Sequence, residues 1–91
     1  MEIQIKMVSA ASEVFNYKKK NPIAIHEEIF QHVSDHIKEQ RIRDGHIKLA
    51  MIAAAGKAFE IANKNPDLSE KEQLKQFVDH IPEILASIEE D

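Results

Sequence analysis

Apolar residues recur at helical spacing along most of the chain. Between residues 3 and 17 they fall three or four apart, at Ile3, Met7, Ala10, Val14 and Tyr17, and Val8, Ala11 and Phe15 widen the stripe. Between residues 47 and 61 the stripe returns as Ile47, Met51, Ala54, Ala58 and Ile61, flanked by Ile52, Ala55 and Phe59. Such spacing places the residues on one face of an α-helix. The pattern predicts two amphipathic helices whose alanines let their backbones approach closely.

Two further stripes follow these helices. The first contains Ile25, Ile29, Val33 and Ile37, and the second contains Leu74, Phe77, Val78 and Ile81. Beyond Pro82, three more apolar residues keep helical spacing, namely Ile84, Leu85 and Ile88. Because proline is tolerated only in the first turn of a helix, Pro82 predicts an interruption or the start of a short additional helix.

The chain repeats itself at an offset of 44 residues. Without a gap, residues 3–37 and 47–81 are identical at twelve of 35 positions, where chance would give about two. The matches fall on the apolar stripes and on two Lys-Asn-Pro segments, and they include His36 with His80. A duplicated structural unit explains why the matches cluster by role.

The ends of the helices are marked by local signals. Asn21-Pro22 and Asn65-Pro66 should end the first helix of each unit, because proline disfavours the helical conformation in the residue before it. Ser69 with Glu72 forms a capping-box signature at the start of the second helix of the second unit. The first unit has Ile25 at the position of Ser69 and should be less well capped. Asp44-Gly45 is a turn and helix-start signal.

These elements predict an all-α fold. We expect a single domain over residues 1–91, built from two tandem αα-hairpins at 3–37 and 47–81, a linker at 38–46 and a C-terminal segment at 82–91. The four main helices should close into a compact bundle with a pseudo-two-fold axis. Some apolar residues exceed what one monomer should need, namely Phe30, Leu74, Ile84, Leu85 and Ile88. This surplus predicts a homo-oligomer.

Composition narrows the possible functions. The chain has no cysteine, which excludes disulfides and thiolate metal sites and favours a reducing, cytoplasmic environment. No stretch approaches the length of a membrane span, and the first residues lack the apolar region of a signal peptide. The net charge of −4 argues against general nucleic-acid binding, which depends on neutralising phosphates.

Histidine spacing suggests one candidate metal site. His32 and His36 lie four residues apart, which allows two imidazoles to reach one ion from a single helix face. The segment His-Val-Ser-Asp-His lacks the glutamate that the zinc-protease motif places after its first histidine. In the second unit, Gln76 stands at the position that matches His32, so the histidine pair is not repeated. The alternative is that both histidines have structural roles.

His36 and His80 occupy equivalent positions of the repeat. The simpler interpretation is a partly buried imidazole that makes a structural hydrogen bond, with the preceding aspartates, Asp35 and Asp79, in solvent. The alternative is a pseudo-symmetric site for a ligand or a proton-linked switch.

Arg41 and His46 have an Arg-x4-His spacing similar to that of a group of small helical ribonucleases. That group prefers a polar residue after the arginine, and here Ile42 follows it. The spacing implies an alternative function as a small nuclease, against the simpler interpretation of a solvated linker.

The residues favour a non-enzymatic role. No glycine-rich phosphate loop is present, and no serine or threonine stands beside a plausible catalytic base in sequence. We therefore expect a small cytoplasmic protein-interaction module that self-associates, binds another protein and needs no cofactor. The alternative is a nuclease or metal-binding protein centred on Arg41 and His46 or on His32 and His36.

Overall fold

The computed structural model describes residues 2–89, which form five α-helices and no strands. The helices are α1 (Glu2–Lys20), α2 (His26–Glu39), α3 (Gly45–Lys64), α4 (Glu70–Asp79) and α5 (Ile81–Glu89). The radius of gyration of 12.2 Å is that of a compact domain of this length. The all-α prediction is confirmed. Met1 and the last two residues of the predicted 82–91 segment lie outside the described residues.

Helices α1 and α3 form the centre of the bundle and share its most extensive helix–helix contact. Five alanines of their predicted stripes are completely buried, namely Ala10, Ala11, Ala54, Ala55 and Ala58. Near the end of α1, the Lys19 ammonium donates to the Pro66 carbonyl oxygen just beyond α3. The C-terminal ends of these two helices therefore lie side by side, and the helices run in the same direction.

Helix α2 runs antiparallel to α1. Three side-chain pairs join the two helices, and the residue number falls in α2 as it rises in α1. The pairs are Lys6 with Gln40 at 3.3 Å, Ser9 with His36 at 2.9 Å and Glu13 with His32 at 2.9 Å. Both α2 and α4 pack against α1 and α3. Each hairpin therefore contributes one central helix and one flanking helix.

The two Asn-Pro corners have the same backbone hydrogen bonds. Asn21 N–H donates to Tyr17 O at 2.8 Å, and Asn65 N–H donates to Ile61 O at 2.9 Å. Each asparagine side chain also donates to that same carbonyl oxygen, at 3.2 Å and 3.3 Å respectively. The helices end at Lys20 and Lys64, so the prediction that both asparagines leave their helices is confirmed.

The helix starts differ in capping, as predicted. Ser69 accepts a hydrogen bond from Glu72 N–H, and Glu72 accepts one from Ser69 N–H, both at 3.1 Å. At Ile25 only the second half of this arrangement forms, with Glu28 accepting from Ile25 N–H at 3.0 Å. Isoleucine has no side-chain acceptor, so one backbone donor of α2 lacks the cap that α4 has. Asp44 caps α3 by accepting from His46 N–H at 2.8 Å.

The predicted linker 38–46 is shorter in the structure. Helix α2 continues to Glu39 and α3 begins at Gly45, so only residues 40–44 connect them. Arg41 has a φ of 57°, and hydrogen bonds run from Arg41 N–H to Lys38 O and from Ile42 N–H to Ile37 O. This is the Schellman arrangement, which satisfies the last carbonyl groups of a helix. Ile42 packs against the core from this position.

Pro82 lies in the first turn of α5, after a break at His80. Helix α5 packs mainly on α3. Ile81 and Ile84 are buried, and Leu85 and Ile88 are half-buried against the core. Phe30 and Leu74 also pack against the core. The residues predicted to be surplus are therefore buried or partly buried against the core of the monomer.

The outer helices depart from their predicted apolar faces at three positions. Ile25 is 55% exposed because it precedes α2 rather than belonging to it, and Val78 is 46% exposed. Gln73, which the apolar pattern passed over, is only 2% exposed. The core of the second hairpin thus contains an amide where the first hairpin has Ile29.

Candidate functional site

His32 and His36 both face α1, but different side chains engage them. The His32 imidazole bonds to a carboxylate oxygen of Glu13 at 2.9 Å and stacks on the Tyr17 ring, with 4.7 Å between centroids. The His36 imidazole bonds to the Ser9 hydroxyl at 2.9 Å. Within residues 2–89, no three His, Asp or Glu side chains are grouped so that they could hold a metal ion. The arrangement can link α1 to α2 through two separate polar pairs.

His36 and His80 have different surroundings despite their matching positions in the sequence. His80 ends α4, and its Nδ1 lies 3.4 Å from a carboxylate oxygen of Glu83 in α5. His36 is inside α2 and bonds to α1. The residue that matches Ser9 is Ala53, which cannot bond to an imidazole. Asp35 and Asp79 are exposed.

Arg41 and His46 are both exposed. Arg41 occupies the left-handed position that ends α2, and His46 lies in the first turn of α3, where its backbone N–H is bound by Asp44. Neither residue lines any of the three clefts described below. Both residues have local backbone roles that account for their positions.

Lysine side chains fasten the end of the bundle where the two Asn-Pro corners meet. Lys18 Nζ donates to the Pro22 carbonyl oxygen at 2.8 Å, within its own corner. Lys19 Nζ reaches the other corner and donates to the carbonyl oxygens of Pro66 and Leu68. These bonds place two ammonium groups between the corners and give Lys19 the role of a clamp between the hairpins.

A cleft of about 410 Å³ opens between these corners. We call it the corner cleft. Its lining includes both lysines, the two corner prolines and two amide side chains, namely Lys18, Lys19, Pro22, Pro66, Asn63 and Gln73. Gln73 Nε2 donates to Asn65 O at 2.9 Å. Gln73 Oε1 is buried without a hydrogen-bond partner.

Two smaller clefts differ in their chemistry. A cleft of about 350 Å³ lies between α3 and α5, and its Lys57 contacts Glu60 at 3.0 Å and Glu83 at 3.8 Å. Lys57 and then Lys64 hold the pKa of Glu60 below its ordinary value. The third, of about 200 Å³, lies between α1 and α4 beside Phe15 and Leu74. In the corner cleft, by contrast, the lysines bond to uncharged carbonyl groups.

Charge near the corner cleft is only partly balanced. Hydrogen bonds with the Ser69 backbone and side chain lower the pKa of Glu72, and the charges of Lys75 and Lys19 contribute less. Glu72 therefore stays ionised at neutral pH, and its negative charge offsets part of the positive charge of Lys19. Lys18 lies over the Phe59 ring, 5.4 Å from its centroid, where the negative face of the ring favours a cation.

The first corner also presents apolar side chains to solvent. Ile23 is 90% exposed and Ile25 is 55% exposed. The matching residues of the second corner are Asp67 and Ser69. Other large apolar residues with substantial exposure are Ile5, Leu49, Ile52 and Val78. We call Ile23 and Ile25 the apolar corner.

Sequence reasoning found the histidines and the corner residues but missed the corner cleft. Three consecutive lysines, Lys18 to Lys20, end α1, where positive charge is favourable to the helix dipole, and their position alone does not reveal the cleft. One signal was available, since a glutamine stood at position 73 where the repeat has Ile29. A polar residue in place of a buried apolar one indicates a specific hydrogen bond or a site.

The chain matches no family model, and neither the curated proteins nor the solved structures compared with it show a significant match. In residues 2–89 no helix is long and apolar enough to cross a membrane.

Proposed function

We propose that the chain is a non-enzymatic interaction module that self-associates through the apolar corner. The observation that carries this proposal is the exposure of Ile23, at 90%, beside the 55% exposure of Ile25. Burying two isoleucine side chains in an interface removes apolar surface from water, which is the main driving force for association. The sequence predicted self-association from surplus apolar residues, but those residues pack against the core of the monomer. The exposed apolar corner is therefore the surface on which the proposal rests.

The second corner supports the proposal because it has the same backbone without apolar residues. Asp67 and Ser69 stand where the first corner has Ile23 and Ile25, and the corner hydrogen bonds still form. Isoleucine is therefore not needed to build the corner. At Ile25 it also removes the side-chain cap that Ser69 provides, so the residue is unfavourable for the isolated helix. Both isoleucines have their best explanation in a contact outside the monomer.

Charge placement favours a second copy of the chain as the partner. Lys20, at the end of α1, and Glu27, in the first turn of α2, flank the apolar corner and are exposed. A two-fold axis through the corner would bring Lys20 of one copy toward Glu27 of the other, and the reverse. Such a surface is complementary to itself, as a symmetric dimer requires.

Self-association is tested by light scattering and sedimentation over a range of protein concentrations. We expect a concentration-dependent dimer for the natural chain and a monomer for the double variant Ile23→Asp, Ile25→Ser, which copies the second corner. The matched control is Leu49→Ser, which removes another exposed apolar side chain and should leave the dimer intact. A natural chain that stays monomeric at high micromolar concentration would refute the proposal.

Charge reversal tests the geometry of the proposed dimer. Lys20→Glu and Glu27→Lys should each weaken it, because each creates a like-charge contact across the axis. The chain that carries both reversals should regain dimerisation, since the complementary charges are restored. If the chain with both reversals does not regain dimerisation, the two-fold arrangement is excluded. That result would not exclude a contact through the two isoleucines in another arrangement.

We further infer that the two hairpins are copies of one unit related by a pseudo-two-fold axis parallel to α1 and α3. Matching positions share buried residues, including Met7 with Met51, Val33 with Phe77 and Ile37 with Ile81. The corner hydrogen bonds also match in donor, acceptor and spacing. The break at His80 and the shift of α5 onto α3 are the main departures. Crystallography tests this relationship, and the Cα atoms of 3–37 and 47–81 should superpose within about 4 Å.

A further inference from the structure

The apolar corner is too small to form a stable interface by itself. Stable protein–protein interfaces bury about 800 Å² on each partner, which is more than the side chains of Ile23 and Ile25 can supply. Neighbouring surface must therefore take part when two copies associate. The corner cleft is the concave surface that adjoins the apolar corner, because Pro22 lines it and Ile23 is the next residue in the chain.

The corner cleft has the size and the lining to receive an apolar side chain. Its volume of about 410 Å³ is larger than one isoleucine side chain. Pro22 and Pro66 line it from the two corners, and Ala62, which is 4% exposed, lines it from α3. Transfer of an aliphatic side chain from water to such surroundings is favourable.

The polar side chains of the cleft do not require a polar occupant. Lys18 and Lys19 donate to carbonyl oxygens of the two corners, and Gln73 Nε2 donates to Asn65 O. Because these bonds form within the chain, an apolar side chain can pack against the lysine methylene groups while the ammonium groups keep their acceptors.

Ile23 lies next to the cleft in sequence, but its own chain does not bury it there. It is 90% exposed. Asp67 is the matching residue of the second corner, so only the first corner has an apolar side chain to insert. A two-fold axis through the apolar corner would bring the corner of each copy to the cleft of the other. We propose, on the basis of the proposed self-association, that Ile23 of each copy inserts into the corner cleft of the other.

Cysteine cross-linking tests which residue of the second copy Ile23 contacts. The natural chain has no cysteine, so engineered thiols are the only ones that a short bis-maleimide can join. We expect cross-linked dimers when Ile23→Cys chains are mixed with Asn63→Cys chains, because Asn63 lines the cleft. Each variant alone should cross-link much less, and so should Ile23→Cys mixed with Lys48→Cys, whose thiol lies outside the cleft.

The cross-links also separate this proposal from self-association in general. If Ile23→Cys cross-links efficiently by itself and not with Asn63→Cys, the two isoleucines meet each other across the axis. That result overturns the insertion and leaves the dimer intact. A natural chain that stays monomeric refutes the self-association and the insertion with it.

A charge placed in the cleft provides a second test. Asn63→Glu should weaken dimerisation by about ten-fold or more in sedimentation, because insertion of Ile23 would take the new carboxylate out of water. The matched control is Asn63→Gln, which has nearly the same shape as the glutamate variant without its charge and should dimerise like the natural chain. Equal dimerisation of the two variants overturns the proposal.

Discussion

Gln73 Nε2 donates a hydrogen bond of 2.9 Å to the backbone carbonyl oxygen of Asn65. This bond joins the start of α4 to the corner that precedes it, and Asn65 is itself tied to the end of α3 through Ile61 O. The first hairpin cannot form it, because Ile29 stands at the matching position. The two hairpins therefore use the same corner but fasten their second helices differently.

Substitution of a central alanine should destabilise the fold. Ala11 in α1 and Ala55 in α3 have no exposed surface and belong to the core around which these helices pack. Leucine at either position must displace a neighbouring helix, which costs about 1–3 kcal/mol. Thermal melts of Ala11→Leu and Ala55→Leu should both shift downward. The exposed control Ala86→Leu should melt close to the natural chain, and an unchanged melt for Ala11→Leu would mean that α1 and α3 are not in close contact.

Ile25→Ser should stabilise the monomer. Serine at this position can accept from the backbone N–H of Glu28, as Ser69 accepts from Glu72. A side-chain cap contributes about 1 kcal/mol, and the 55% exposure of Ile25 limits what the isoleucine gains from burial. Urea unfolding at low protein concentration measures the gain, and Ser69→Ala should show a loss of similar size. A loss of stability for Ile25→Ser would show that Ile25 contributes to the monomer core.

Arg41→Gly should also stabilise the chain. Arg41 has a φ of 57°, a left-handed conformation that costs a non-glycine residue about 1–2 kcal/mol. Glycine removes this cost but adds about 0.4–1 kcal/mol of flexibility to the unfolded chain. The net gain should be about 0.5–1 kcal/mol in urea unfolding.

The neighbouring residue provides the control for Arg41. Gln40 has a φ of −76°, so Gln40→Gly gains nothing from left-handed freedom and should lose about 0.5–1 kcal/mol. If Arg41→Gly destabilises instead, the guanidinium makes a contact that outweighs its backbone strain. That result would favour a functional role for Arg41, as in the alternative hypothesis that pairs it with His46.

Metal titration should reveal no tight stoichiometric site at His32 and His36. Glu13 and Ser9 engage the two imidazoles separately, and a zinc site needs three or four protein ligands. Calorimetry with zinc or nickel on the metal-free protein provides the measurement. One-to-one binding in the nanomolar range that His36→Ala abolishes would reverse this expectation and favour a metal-dependent function.

Local signals predicted the helix ends well, because the energies that set them come from neighbouring residues. Asn21-Pro22 and Asn65-Pro66 end their helices through a steric effect of proline on the residue before it. Ser69 and Asp44 cap α4 and α3 through hydrogen bonds that span two or three residues. The end of α2 was harder to place, because no glycine marks the left-handed position that Arg41 fills.

The sequence by itself determined the all-α class, the helix order and the apolar stripes, since helical periodicity and capping act over a few residues. Only the tertiary structure decided which polar groups meet. The bond of Lys19 to Leu68 joins residues 49 apart in the chain, and that of His32 to Glu13 joins residues 19 apart. The burial of Gln73 and the exposure of Val78 likewise depend on where α4 settles between α1 and α3. Periodicity defines a face for each helix, but the neighbour that covers that face is set by the packing of the whole chain.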